Sequence, residues 1–346
     1  MKVGLLTSGG DAQGLNAAIR GVAKTLYQFD PNVKIYGIQN GYYGLIDKIW
    51  RYMEPSEFSG ILTLGGTILG TSRKPGIRLE EVERQERMLQ SYREGGFDAL
   101  VILGGDGTHK DAYALSQLGV NVVTLPKTID NDLYGTDLTF GFDSAVNKAT
   151  AVIDAIHTTA ASHGRVFIVE LMGNHVGWIS LYSGIAGGAD IILIPEIPYK
   201  LDKIVDTINT RNNNGKHFTI IAIAEGTLAE DELALSEDEL KSYATRASSR
   251  LAHTLEGKIN QDTRIAVPGH FQRGGEPTPT DRILCSRFGA KAGEMIFNGE
   301  FGKMVALHGD KIVAVPLSEV AGKLKSIPLD SEILRQARDL GVCFGD

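Results

Sequence analysis

The sequence predicts an α/β protein of the doubly wound, parallel-sheet type, arranged as two domains. Short apolar runs alternate with amphipathic segments along the whole chain, which is the pattern of βαβ units. Those runs repeatedly end in glycine-rich polar turns, as strands of open α/β sheets do at their carboxyl edge. At 346 residues the chain can also bury two ordinary cores.

Taken in order, Val3 to Thr7 reads as a buried strand that breaks into Ser8, Gly9, Gly10 and Asp11 before an amphipathic helix from about Leu15 to Tyr27. Glycines there let the backbone approach a phosphate at a helix amino terminus, although an ordinary tight turn has the same look. Val33 to Ile38 is a second strand, followed by a loop carrying Tyr42 and Tyr43. Arg73 and Lys74 stand in a polar loop and suit phosphate contact or plain solvation equally. Leu79 to Glu94 reads as a charged, solvated helix. Ala99 to Leu103 is a strand ending in GGDGT, Gly104 to Thr108, where Asp106 suits either a magnesium ion or a helix cap.

Val120 to Leu125 is the next strand and ends in PKTIDND, Pro126 to Asp132. Of its two close aspartates, one can take a proton from a hydroxyl while the other orients it or balances charge. A helix from Phe142 to Ser162 then leads into a second alternating set: strands at Arg165–Leu171, Ala189–Pro195, Phe218–Ala224 and Thr263–Val267, helices at Leu201–Asn213 and Ser236–Leu255. Arg264, His270 and Arg273 form a cationic set near glycine turns, which favours an anion. A helix from Asp281 to Asn298, a strand near Lys311–Val315 and a helical region from about Ser331 finish the chain.

Composition excludes some classes. The net charge of −7 argues against general binding to nucleic acid or anionic membranes. Two cysteines, Cys285 and Cys343, make neither a disulfide framework nor a zinc site. There is no charged start followed by an apolar segment and no apolar run of about 18 residues. A cytoplasmic protein is expected.

In combination, LTSGGDAQGLNAAIRG, GGDGT, PKTIDND, the Arg165 to Trp178 segment and GHFQRGG resemble the 6-phosphofructokinase family, in order and nearly throughout the chain. The resemblance implies two Rossmann-like αβα domains, residues 1–141 plus 272–322 for the nucleotide and 142–271 plus 323–346 for the sugar phosphate, with the active site in the cleft between them. It implies phosphorylation of fructose 6-phosphate at its 1-hydroxyl by ATP and Mg2+. At matching positions, Gly10, Tyr42, Arg73, Lys74, Gly105, Gly107 and Thr108 would meet ATP, Asp106 would hold magnesium, and Asp130 would be the general base beside Thr128 and Asp132. Thr128, Ile129, Asp130, Met172, Gly173, Asn174, Glu225, His270, Phe271, Gln272 and Arg273 would bind the sugar phosphate. Arg165 and Arg264 would reach a neighbouring subunit's substrate, so a homodimer or homotetramer is expected.

Three departures bear on the reading. Gly107 replaces the Asp of relatives that use pyrophosphate and leaves room for a nucleotide. Lys127 matches those same relatives and would meet a phosphate or sit on the rim. Asn174 stands where the family usually has an Arg that neutralises the transferring phosphoryl group, and a lost donor of that kind costs roughly 2–4 kcal/mol of barrier. Arg20 and Lys24 match basic effector-binding positions, but His157 and Asp190 replace an Arg and a Glu there, so altered allosteric control is expected. The rival readings are pyrophosphate as donor, another ketose phosphate as acceptor, or a weakened paralogue that binds sugar phosphate and regulates an active partner. A diacylglycerol or NAD kinase shares the GGDGT turn but not PKTIDND or GHFQRGG.

Overall fold

The computed structural model describes residues 1–72, 81–236, 238–239 and 246–346. These fall into two compact units, Met1–Ser144 with Arg273–Lys325 and Ala145–Gln272 with Ser326–Asp346. In chain order the main elements are β1 (Lys2–Thr7), α1 (Leu15–Phe29), β2 (Lys34–Ile38), α2 (Tyr42–Ile46), β3 (Trp50–Tyr52), α3 (Glu81–Glu94), β4 (Ala99–Gly104), α4 (Asp106–Gln117), β5 (Val122–Pro126) and α5 (Phe142–His163). There follow β6 (Val166–Leu171), α6 (Trp178–Ala186), β7 (Ile191–Leu193), α7 (Leu201–Asn213), β8 (Thr219–Ala224), α8 (Ala247–Leu255), β9 (Thr263–Ala266), α9 (Pro279–Asn298), β10 (Lys303–His308), β11 (Lys311–Pro316), α10 (Leu317–Val320) and α11 (Glu332–Asp339).

The first unit is built on a seven-stranded sheet of order β11-β10-β5-β4-β1-β2-β3. Its centre is parallel, and each edge ends in an antiparallel pair, β2 with β3 and β10 with β11. The central strands are apolar on both faces, as burial between two helical layers demands. Val3, Leu5, Val101 and Leu103 pack under α1 and α9, while Leu6, Leu100, Ile102 and Val122 pack on the opposite face. The second unit has a four-stranded parallel sheet of order β7-β8-β6-β9. Its core includes Val166, Ile168, Ile191, Ile221 and Ile223.

Some expectations change. The short β3 and the strand β10 were not anticipated; β10 becomes a strand by pairing with β5 and forming a hairpin with β11. The expected helix from Ser236 to Leu255 does not run through Arg246, which is extended at φ −123° and caps α8. Residues 237 and 240–245 of that stretch lie outside the described residues. Among the described residues no helix is long and apolar enough to cross a membrane.

Asp281 knits the first unit together. It is 1% exposed, and its carboxylate accepts from Gly141 N (3.0 Å), Ser144 N (2.9 Å) and Ser144 Oγ (2.6 Å) at the start of α5. Burial pushes its pKa up to about 6, against the donors that lower it. Asp281→Ala leaves those buried donors unpaired, and we expect it to lower stability by roughly 2–4 kcal/mol, read as a shifted urea midpoint at unchanged slope.

Candidate active site

Three loops meet at the carboxyl edge of the first sheet because their strands are neighbours. β5, β4 and β1 run side by side, with Gly104 opposite Pro126 and Leu103 opposite Thr7. Pairing continues one residue into the loops: Ser8 N donates to Leu103 O and Lys127 N to Gly104 O, each at 2.9 Å. The chain winds outward from β1 through β2 in one direction and returns through β4 on its other side. That reversal between β1 and β4 is where open sheets bind ligands. A cavity of about 530 Å³ lies there, lined by Gly9 and Gly10, by Gly105 to Thr108, by Lys127, Thr128, Asp130 and Asp132, and by Tyr42, Arg84, Asp111 and Arg273.

The second loop is shaped by close packing. A Cβ at Gly104 would stand 2.3 Å from the Thr108 side chain, so β4 can turn straight into α4 only through glycine. Gly105 is the N-cap and has no side chain to cap with, so Asp106 is the first helical residue and not the cap. Its Oδ1 accepts from Gly322 N at 3.1 Å, and its Oδ2 pairs with Lys110 Nζ at 2.7 Å. An acid in this place is favoured by the helix dipole. A Cβ at Gly107 would meet nothing within 4 Å among the described residues. Tyr42 is buried and donates to Thr108 O at 2.9 Å.

His109, which the sequence reading passed over, sits fully buried beneath this loop. Its Nδ1 donates to Gly105 O at 2.8 Å, and burial lowers its pKa to about 4. A neutral imidazole therefore braces the glycine turn.

The third loop holds the acids. Lys127 is 3% exposed and its Nζ donates to Gly10 O, tying this loop to the one after β1. It is a buried cation and not a rim lysine. Thr128 Oγ1 accepts from Asp130 N at 3.1 Å and hydrogen-bonds the Asp132 carboxylate. Burial raises the Asp132 pKa, with Asp106 adding to the rise and Thr128 opposing it, and Asp132 Oδ1 has no hydrogen-bond partner among the described residues. Asn131 between the acids is buried at φ +52°. Ile129 is fully buried and absent from the cavity lining, so only its backbone could meet a ligand.

The expected residues divide between the units. Gly10, Tyr42, Gly105 to Thr108, Lys127, Thr128, Asp130 and Asp132 are brought together, and Arg73 and Lys74 lie outside the described residues. Arg273 joins the first cavity; its Nη1 donates to Asp11 O at 2.9 Å, and its Nε is buried without a partner among the described residues. Arg264 belongs to the second unit.

In that unit Met172, Gly173 and Asn174 follow β6, and Glu225 follows the adjacent β8. Gln272 Oε1 accepts from Met172 N at 3.3 Å, and Gly226 N donates to Gly173 O at 3.1 Å. Asn174 is exposed with its Nδ2 3.2 Å from His175 Nε2. His270 and Phe271 are exposed, and Lys148 Nζ lies 5.5 Å from the Phe271 ring centre. Arg165 precedes β6 at its other end, and both Arg165 (3.8 Å) and Arg264 (3.2 Å) pair with Asp262. Among the proposed effector residues, Asp190 pairs with Arg211 at 2.8 Å and His157 Nε2 meets Gly187 O at 2.6 Å.

Comparison with known proteins places this geometry. The family described as phosphofructokinase matches residues 2–296. An ATP-dependent 6-phosphofructokinase of Spirochaeta thermophila is 50% identical over 99% of this chain and 97% of its own length. ATP-dependent 6-phosphofructokinase 3 of Bacteroides thetaiotaomicron is 46% identical over the whole of both chains. The structure of a T-state phosphofructokinase from Pichia pastoris superposes with a TM-score of 0.80 at 33% identity, covering 92% of this chain and 35% of that one.

Lys127→Met removes the buried ammonium that ties the loop after β5 to Gly10. We expect calorimetric titration with a non-hydrolysable ATP analogue to show binding weakened at least about tenfold, roughly 1.4 kcal/mol.

Proposed function

The chain belongs to the phosphofructokinase family, and from that membership we infer that it is an ATP-dependent 6-phosphofructokinase, converting fructose 6-phosphate to fructose 1,6-bisphosphate. The observation that carries the choice of donor is the open space over Gly107, at the amino end of α4 beside Asp106. A nucleotide needs that room and pyrophosphate does not. Gly10, Tyr42, Gly105 and Thr108 are assigned to the nucleotide with it.

The residues fit a magnesium ion carried in with the nucleotide. Mg2+ is typically held by one or two carboxylates together with substrate phosphates, and Asp106 offers a partly exposed carboxylate on the cavity wall. When bound, the ion would neutralise phosphate charge. The protein's own part is positioning. Asp130 takes the proton of the sugar's 1-hydroxyl as that oxygen attacks the γ-phosphorus and the bond to ADP breaks. Thr128 holds the Asp130 amide and the Asp132 carboxylate, which supports their joint assignment. Lys127 and Arg273 supply fixed cations near the reacting phosphates, and Lys127 is the group we assign to offset the missing Arg at Asn174.

Met172, Gly173, Asn174, Glu225, His270, Phe271 and Gln272 are assigned to fructose 6-phosphate. Arg165 is separated from Met172 by the length of β6, roughly 20 Å, and Arg264 stands beside Phe167 near the same end of that strand, which supports their use on a neighbouring subunit's substrate. We therefore assign a homo-oligomer working in the cytoplasm.

Pyrophosphate as donor is the second reading, favoured by Lys127 alone. Initial rates of fructose 1,6-bisphosphate formation with matched ATP and pyrophosphate test the choice; a preference for pyrophosphate overturns our reading. Gly107→Asp is expected to cut ATP-dependent kcat/KM by about 100-fold or more, because its carboxylate would fill the nucleotide's space and repel the phosphates. Asp130→Asn is expected to lower kcat by about 10² to 10⁴, with KM for ATP little changed, in steady-state assays.

A further inference from the structure

The segment Gly322 to Lys325 crosses the carboxyl edge of the first sheet and touches both acid-bearing loops. Gly322 N donates to Asp106 Oδ1 at 3.1 Å, Leu324 bridges to Leu133, and Lys325 N donates to Asp132 O at 2.8 Å. The Lys325 side chain then turns inward. Its Nζ donates to Asn131 Oδ1 (2.9 Å), Thr136 O (2.8 Å) and Asp137 O (2.9 Å). An ammonium has three donors, and three acceptors are met here.

Asn131 is the residue on which this matters. It lies between Asp130 and Asp132, 3% exposed, in the left-handed region at φ +52°. Asparagine tolerates this region better than other residues with a Cβ, and here its side-chain oxygen is held from two sides. Two residues grip the same oxygen, Thr139 through its N at 3.0 Å and its Oγ1 at 3.5 Å, and Lys325 through Nζ at 2.9 Å. Relaxation to negative φ would rotate the peptides on both sides and swing the two carboxylates away from the cavity they line.

We propose that Lys325 is a positioning residue for phosphoryl transfer: it pins Asn131 in its left-handed conformation and so fixes Asp130 and Asp132 at the reacting centre. The proposal rests on the kinase reading given above. Burial lowers the Lys325 pKa to about 8, opposed by Asp137 and Asp132. Charged or titratable groups on the neighbouring segments include Asp130, Asp106 paired with Lys110, Lys323 over the Tyr134 ring, and His308 on Gly135 O. Loss of the proton leaves two N–H donors for three acceptors, so the grip on Asn131 weakens as pH rises through that value.

The test uses the full chain and the variants Lys325→Arg and Lys325→Met, with kcat and each KM followed from pH 6.5 to 9.5 and amide exchange followed across residues 128–133. Lys325→Met is expected to lose roughly 10- to 100-fold in kcat, the effect of about 1 Å of misplacement, while both KM values change less than about threefold. Lys325→Arg, whose charge does not titrate here, should recover most of that kcat and lose the alkaline limb shown by the wild type. Exchange across 128–133 should quicken in Lys325→Met at unchanged global unfolding midpoint.

A Lys325→Met enzyme with kcat within twofold of wild type overturns the proposal. So does an unrescued loss in Lys325→Arg, or a wild-type profile flat between pH 7 and 9. If the wild type transfers no phosphoryl group from any donor, the kinase reading fails separately, and the exchange across 128–133 alone decides whether Lys325 orders the loop. Should Lys325→Met not fold, Lys325→Arg and the wild-type profile decide.

Discussion

Everything at the candidate site depends on three adjacent parallel strands being held in one register. The ladder that sets Thr7 against Leu103 and Gly104 against Pro126 brings the first loop residues after β1, β4 and β5 to one level. Slip of a single residue in any of them would exchange its two buried faces and unseat the packing of both cores. Register is therefore protected by the two cores that sandwich the sheet, and the loops inherit their precision from packing some distance away. Gly104 passes that precision on, because only a residue lacking Cβ lets Thr108 fold back against the end of β4.

Charge is arranged on this frame against the overall balance. The chain carries a net charge of −7, yet the cavity at the carboxyl edge of the first sheet gathers Lys110, Lys127, Arg84 and Arg273 among four aspartates. Several of these cations are already committed to the protein: Lys127 to Gly10 O, Lys110 to Asp106, Arg84 to Asp111 at 2.5 Å. Commitment of this kind orients a charge before a ligand arrives, and a pre-oriented dipole or charge needs no rearrangement during reaction. The partnerless Oδ1 of Asp132 and Nε of Arg273 are the exceptions. Unpaired buried polar atoms are costly, so a site that keeps them is one shaped for a ligand that is not always there.

What was legible in the sequence was whatever local pattern encodes. The apolar runs of β1, β4, β6 and β8 and the glycine turns after β1 and β4 could be read directly, and so could the family resemblance carried by five separated motifs. What depended on distant chain could not. KMVALH becomes β10 only because β5 offers it an edge. The bond from Arg273 to Asp11 O spans most of the chain and had no local signal. Lys325 had no signature at all, since its role rests on acceptors nearly two hundred positions earlier in the chain. Lys127 was visible but its burial was not, because an amino-acid type says nothing about which carbonyl it will reach.

Gly107 and Lys127 therefore answer different questions, and their coexistence is no contradiction. Gly107 decides whether a bulky group can lie over the amino end of α4, a matter of space that no flexible side chain can restore once filled. Lys127 decides how much positive charge waits between the loops after β1 and β5, a matter of field that serves a triphosphate and a pyrophosphate alike. Because Lys127 is buried and anchored on Gly10, its charge adds to the site without occupying nucleotide space. A chain can thus keep a lysine shared with pyrophosphate-using relatives and still be shaped for ATP.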